Sequence, residues 1–105
     1  MDFEVHEEIV EFLDNSSDKT KKLIVKKLSF FSERDKQSLM RSGDLKWLGD
    51  KVFEAIIGPW RLLGWLVDIT LHLTVIFRKK SQRTPKRHIN TAKTRGLKIE
   101  SKIIK

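Results

Sequence analysis

The residues of this chain best equipped for chemistry lie between Glu54 and Arg87. Arg78, Lys79, Lys80, Arg83, Lys86 and Arg87 form one short basic run, Trp60-Arg61 stands upstream of it, and Glu54 and Asp68 flank Arg61 at seven-residue spacing. Guanidinium and ammonium groups at this density hold anionic oxygens, so the run can take a phosphate backbone, anionic lipid headgroups or an acidic protein surface. Charge alone does not choose among the three. Trp60 offers an aromatic face that can stack on a base or pack into a core. Among the histidines, His72 sits between Leu71 and Leu73 and reads as a half-buried structural residue, whereas His88 reads as exposed on a basic helix. No spacing of His, Asp and Glu reads as a metal-ligand constellation. The absence of cysteine removes disulfides, Cys-ligated zinc and thiol nucleophiles together.

The elements that must position these residues are bounded by composition. A chain of 105 residues with 39% apolar and 34% charged residues makes one small folded domain rather than a disordered segment. The net charge of +8 is concentrated at one end, since residues 78–105 hold 11 bases against the single acid Glu100. Asp2, Glu4, Glu7 and Glu8 follow Met1 where a secretory signal would need a basic and then an apolar stretch, so a reducing cytoplasm is the expected setting. Residues 52–77 are apolar enough to raise the question of a membrane span. Glu54, Arg61 and Asp68 interrupt them, each costing about 2.5 to 3.5 kcal/mol at a bilayer centre, and Gly58-Pro59 breaks a helix there, so no membrane association is expected.

The same segment reads as three strands, Val52 to Ile57, Trp60 to Val67 and Leu71 to Phe77, joined at Gly58-Pro59 and near Asp68 into an antiparallel meander. Alternation is imperfect, which fits a sheet covered on both faces. Upstream, Met1 to Val5 alternates as a first strand. Ile9, Val10, Phe12 and Leu13 then fall at helical offsets, and Ile24, Leu28 and Phe31 repeat at i, i+4, i+7 behind the cap cluster Ser16-Ser17-Asp18. A two-helix hairpin between the first strand and the meander is expected. Arg34 to Asp44 is polar and reads as loop or a ragged helix end. Downstream, Thr84 as cap, Pro85 at the first helical position and Gly96 at the far end predict a short basic helix over residues 85–95. Leu97, Ile99, Ile103 and Ile104 follow as a tail, 97–105, that is flexible or covered by a partner. The expected fold class is α+β, with a helical hairpin packed on a small curved antiparallel sheet and a short basic C-terminal helix, in a single domain over 1–105.

Leu48-Gly49, Val52-Phe53-Glu54, Gly58-Pro59-Trp60-Arg61-Leu62-Leu63, the run from Phe77-Arg78-Lys79-Lys80-Ser81-Gln82-Arg83 through Thr84-Pro85-Lys86, and Ala92-Lys93-Thr94-Arg95 together resemble the RelE/ParE toxin superfamily, and within it the HigB-type, phage-derived branch. The resemblance spans roughly residues 45–96, and Lys-Lys-Ser-Gln-Arg-Thr-Pro is its most specific part. It implies the toxin of a type II toxin-antitoxin module, neutralised by a cognate antitoxin protein, that enters the ribosome and cleaves messenger RNA with the RNA 2'-hydroxyl as attacking group. No metal and no small-molecule cofactor is implied.

Carried over position by position, the resemblance makes Arg61, Lys79, Lys80 and Glu54 the catalytic set. Trp60 matches the family's aromatic position, and with the basic-pole residues Arg78, Arg83, Lys86 and Arg87 it makes the expected RNA-binding set. Each has a plainer reading: Arg61 as an ion-pair partner of Glu54 or Asp68, the lysines as a solvated strand end, Trp60 as core. The chain departs from the pattern at Ile56, where relatives usually carry arginine, at Val75, where they usually carry histidine, and in having no tyrosine. These departures bear on catalysis more than on fold. The alternatives are a ParE-like inhibitor of DNA gyrase without catalysis and a divergent, inactive nucleic-acid-binding protein on the same fold.

Overall fold

A computed structural model describes residues 1–104. The chain runs β1 (Asp2–Val5), α1 (Glu7–Asp14), α2 (Asp18–Ser32), α3 (Lys36–Arg41), β2 (Leu45–Trp47), β3 (Val52–Ile57), β4 (Trp60–Val67), β5 (Thr70–Arg78) and α4 (Lys86–Ile103). It is an α+β protein whose five strands form one mixed sheet in the order β1-β5-β4-β3-β2. The meander β2-β3-β4-β5 is antiparallel throughout, but β1 lies parallel to β5 at the edge, so the sheet is not the purely antiparallel one expected from sequence. Alternation in Met1 to Val5 sets which side chains face inward and says nothing about the partner strand or its direction.

Both faces of the sheet are covered, which is why β3 and β4 read as nearly continuous apolar runs. On one face Ile9 and Leu13 of α1 and Ile24, Leu28 and Phe31 of α2 share a core with Phe53, Ala55, Ile57, Leu62, Leu71 and Leu73 of the strands. On the other, Val52, Leu63, Trp65, Val67 and Val75 pack under Ala92 of α4. Ser17 caps α2 as its type predicts, its hydroxyl oxygen accepting from the Thr20 amide at 3.2 Å. The radius of gyration, 12.9 Å, is that of a compact chain of this length.

Two segments depart from the sequence reading. Arg34 to Asp44 is not loop: Asp35 caps a short helix, α3, by accepting from the Ser38 amide at 2.7 Å, and the chain leaves it into strand β2. Leu39 is the one buried side chain of α3, too little for periodicity to reveal it. The C-terminal helix is also not short, running from Lys86 to Ile103, with Gly96 inside it rather than at its end. A Cβ at Gly96 would stand 2.1 Å from the Trp65 Cβ. This glycine serves close approach of helix to sheet instead of termination. Thr84 likewise does not cap the helix, which begins one residue later with Pro85 at the cap position and no side-chain cap. Most of the expected tail is therefore helical, with Leu97 and Ile103 exposed on it; the final residue of that tail, Lys105, lies outside the described residues. Among the described residues, no helix is long and apolar enough to cross a membrane.

Candidate functional site

The site lies on the α4 side of the sheet, at the end where β3 turns into β4. Strand pairing sets Ile56 opposite Arg61 and Arg61 opposite Phe77, so these three stand in a row on one face. Glu54, two residues back on β3, shares that face and pairs in register with Lys46 of β2. The first turn of α4 covers part of this surface, His88 lying against Phe77 of β5. The segment Lys79 to Pro85 closes the rim and leaves a cavity of about 430 Å³.

The lining is strongly one-signed. Lys46, Arg61, Arg78, Lys79, Lys80, Arg83 and Arg87 line it, with Glu54 as the lone carboxylate. Seven cations around one acid, between apolar walls supplied by Ile56, Trp60 and Phe77, concentrate anions in a partly desolvated space. Glu54 is the most enclosed of the charged residues, only 3% exposed. Its Oε2 accepts a hydrogen bond from the Thr84 hydroxyl at 2.5 Å. The hydroxyl read as a helix cap thus anchors the basic loop to the sheet floor. At the other end of the loop, the Lys79 amide donates to the Pro59 carbonyl at 2.7 Å, tying the loop to the β3–β4 turn.

Arg61 pairs with neither Glu54 nor Asp68 and makes no ion pair among the described residues. Its Nη1 donates to the carbonyls of Gly58 at 2.8 Å and Trp60 at 3.0 Å. Those bonds fix the guanidinium at the turn, while Nε and Nη2 have no protein acceptor among the described residues and remain able to hold an anion. Trp60 is packed rather than free: Phe12 meets it edge-on at 5.3 Å, and the Arg78 guanidinium sits 5.6 Å from its ring centroid. Lys79, Lys80, Arg83 and Arg87 are exposed on the rim. Lys86 is exposed on the first turn of α4 but does not line the cavity, so the structure separates it from the other predicted site residues.

His88 corrects the sequence reading, since it is half-buried and not free in solvent. Its ring stacks on Phe77 with centroids 4.1 Å apart and planes 9° from parallel, forming one wall of the cavity. Burial first, and the Arg87 charge second, push its pKa below the ordinary histidine value, so the site disfavours the charged ring. A second group missed from sequence is Glu4, His6 and His72, which converge at the β1 edge. His72 there is buried, at 3% exposure, rather than half-buried.

The fold and cavity define a small α+β protein with a partly open cleft at one end of a mixed sheet, lined by seven cationic side chains. The chain matches the model of the family described as phage derived protein Gp49-like (DUF891) over residues 11–96, and it belongs to that family. That family is associated with toxins of toxin-antitoxin systems. The matched span contains every residue that lines the cavity. No curated protein matches the chain.

Proposed function

We propose that this protein is the toxin of a type II toxin-antitoxin module and acts as a ribosome-dependent endoribonuclease on messenger RNA. The observation that carries the reading is the cavity itself: seven cations gathered around a buried, hydrogen-bonded glutamate within the family-matched span. In the proposed step the 2'-oxygen of a nucleotide attacks the adjacent phosphorus, a bond forms between them, and the bond from phosphorus to the 5'-oxygen breaks. The neutral His88 imidazole accepts the 2'-hydroxyl proton. Arg61, Lys79 and Lys80 neutralise the nonbridging oxygens as charge builds there, and a lysine ammonium gives the leaving 5'-oxygen its proton.

Glu54 acts through Thr84. Its carboxylate holds the loop that carries Lys79 and Lys80, which makes it a positioning residue in this scheme. Arg78, Arg83 and Arg87 supply rim contacts to neighbouring phosphates, and Lys86 adds charge just outside the cleft. A partner antitoxin would neutralise the toxin by covering this cationic face. The test is toxicity in a bacterium: Lys79→Ala with Lys80→Ala, both exposed, is expected to relieve growth arrest while leaving the melting temperature within about 2 °C. Unchanged arrest in the folded variant would contradict the assignment.

One observation favours a second reading, gyrase inhibition without catalysis. Ile56 places an apolar side chain in the cavity lining, and Val75 is buried against α4 rather than facing the cleft. Both positions lack the polar group that the nuclease resemblance leads one to expect. Under this reading the cationic cleft binds its target and cuts nothing, and growth arrest comes without new RNA ends.

A further inference from the structure

One side-chain cluster has no part in the cleft. β1 runs parallel to β5 with Glu4 beside His72, so the two side chains leave the sheet on the same face. His6 lies two residues beyond Glu4 in extended backbone, φ −86° and ψ 169°, and its amide donates to the Leu73 carbonyl at 3.0 Å. The ladder therefore continues through His6, and its ring falls on that face too, while Phe3 and Val5 turn into the core. Strand geometry alone brings together side chains 66 residues apart. His6 Nε2 lies 2.9 Å from His72 Nδ1. Glu4 Oε2 is 3.4 Å from His72 Nδ1, and Glu4 Oε1 is 4.0 Å from His6 Nε2.

We propose that Glu4, His6 and His72 form a three-ligand site for a divalent transition cation of the Zn²⁺ class, which clasps the edge strand β1 to β5. Two imidazole nitrogens and one carboxylate oxygen suit Zn²⁺, Co²⁺ or Ni²⁺ and disfavour Mg²⁺ and Ca²⁺, which take oxygen ligands. Ligand atoms at about 2.0–2.2 Å from a tetrahedral ion stand roughly 3.3–3.5 Å apart; the two nitrogens are 2.9 Å apart, Glu4 Oε2 is 3.4 Å from His72 Nδ1, and one ligand atom from each residue lies within 4.8 Å of the other two. Binding needs only small side-chain adjustments. The ring that now donates in the His6–His72 hydrogen bond must carry its proton on its other nitrogen, a change of tautomer without net charge.

His72 is packed and supplies a rigid ligand, whereas Glu4 is exposed and His6 half-buried, so an ion has a path in and a water can complete the shell. The nearby cation Arg95 does not oppose it, being engaged by Glu8 at 3.4 Å and by the Thr74 carbonyl at 2.7 Å. Glu4 and His6 precede the family-matched residues 11–96, so the site is not part of what that match describes. It stands at the opposite end of β5 from the cleft and does not depend on the nuclease reading.

The test uses tag-free, metal-stripped protein titrated with Co²⁺ by visible absorption and with Zn²⁺ by thermal melting. The expected result is one ion per chain, the absorption of four-coordinate Co²⁺, and a melting temperature about 10 °C higher at Zn²⁺ a hundredfold above its dissociation constant. Glu4→Ala and His6→Ala, both at accessible positions, are expected to weaken Zn²⁺ binding at least tenfold, whereas His88→Gln leaves it unchanged. Absence of binding overturns the proposal. So does affinity that survives Glu4→Ala and His6→Ala but falls in His88→Gln, or displacement of Zn²⁺ by equimolar Mg²⁺.

Discussion

Replacing Thr84 by valine removes one hydroxyl and keeps the side-chain shape, so it isolates the bond that ties the basic loop to the sheet. The acceptor, Glu54, is 3% exposed, and Thr84 is its one hydrogen-bond donor among the described residues. A hydrogen bond to an enclosed charge contributes about 1.5–3 kcal/mol, and stranding the carboxylate forfeits it. For a domain of this size that is a fall of about 10 °C in melting temperature, measurable by calorimetry or by urea unfolding. The functional consequence should be larger than the stability loss, because the loop holding Lys79 and Lys80 would lose one of its two anchors; residual toxicity per folded molecule is the readout. Thr84→Ser should restore both, since it returns the hydroxyl. Glu54→Leu combined with Thr84→Val should recover stability without toxicity, because replacing both partners by apolar groups leaves nothing unpaired. The reasoning is refuted if Thr84→Val melts within about 1 °C of the parent while remaining fully toxic.

Gly96→Ala puts a methyl 2.1 Å from the Trp65 Cβ, so α4 must lift from the sheet; a loss of about 1–3 kcal/mol or more is expected by urea unfolding, against near neutrality for substitution of exposed Lys98 by alanine. Burial and then Arg87 lower the His88 pKa, so the fold disfavours its charged form. Its contribution to stability is full above the ordinary histidine value, about 6.5, and is lost as pH falls through the lower folded value; an NMR titration should place the ring below about 6.5, and His88→Gln should flatten the decline in melting temperature on acidification. Glu100 accepts from Lys51 and from the Trp65 indole, each at 2.9 Å, and these bonds, Lys51 foremost, hold its carboxyl below the ordinary range. Glu100→Gln should therefore weaken the α4–sheet contact near neutral pH and have no effect in acid, where the native carboxyl is protonated as well.

How much of this was legible in the sequence depended on how many side chains each element buries. α1 and α2 declared themselves through Ile9, Leu13, Ile24, Leu28 and Phe31, whose spacing is helical whatever they pack against. β3 to β5 were bounded by Gly58-Pro59 and Asp68, residues whose backbone chemistry marks turns. α3 and β2 bury little, and nothing periodic announces them. α4 was cut short because its inward stripe is built from Ala92 and Gly96, small residues that an apolar count passes over although the wide Trp65 side chain fills the space they leave.

The cleft was half legible. The basic run could be read as a phosphate-seeking surface, and most of its members line one cavity. Their supports could not be read, since Thr84 looks like a cap until Glu54 is seen beneath it, and Arg61 looks like an ion-pair partner until its bonds to the turn carbonyls are seen. The Glu4–His6–His72 cluster was invisible for a geometric reason. Parallel pairing of the first strand with the last creates it, and local sequence carries no trace of that partnership.

The central claim, that the cationic cleft cleaves translated messenger RNA, is tested most directly by mapping messenger RNA 5' ends across a bacterial transcriptome shortly after pulsed expression of the protein. The account predicts growth arrest with new ends phased to codons inside translated frames, abolished by Lys79→Ala with Lys80→Ala. Arrest with no such ends would contradict the nuclease and favour a binding mechanism such as gyrase inhibition, and no arrest at all would contradict the toxin itself.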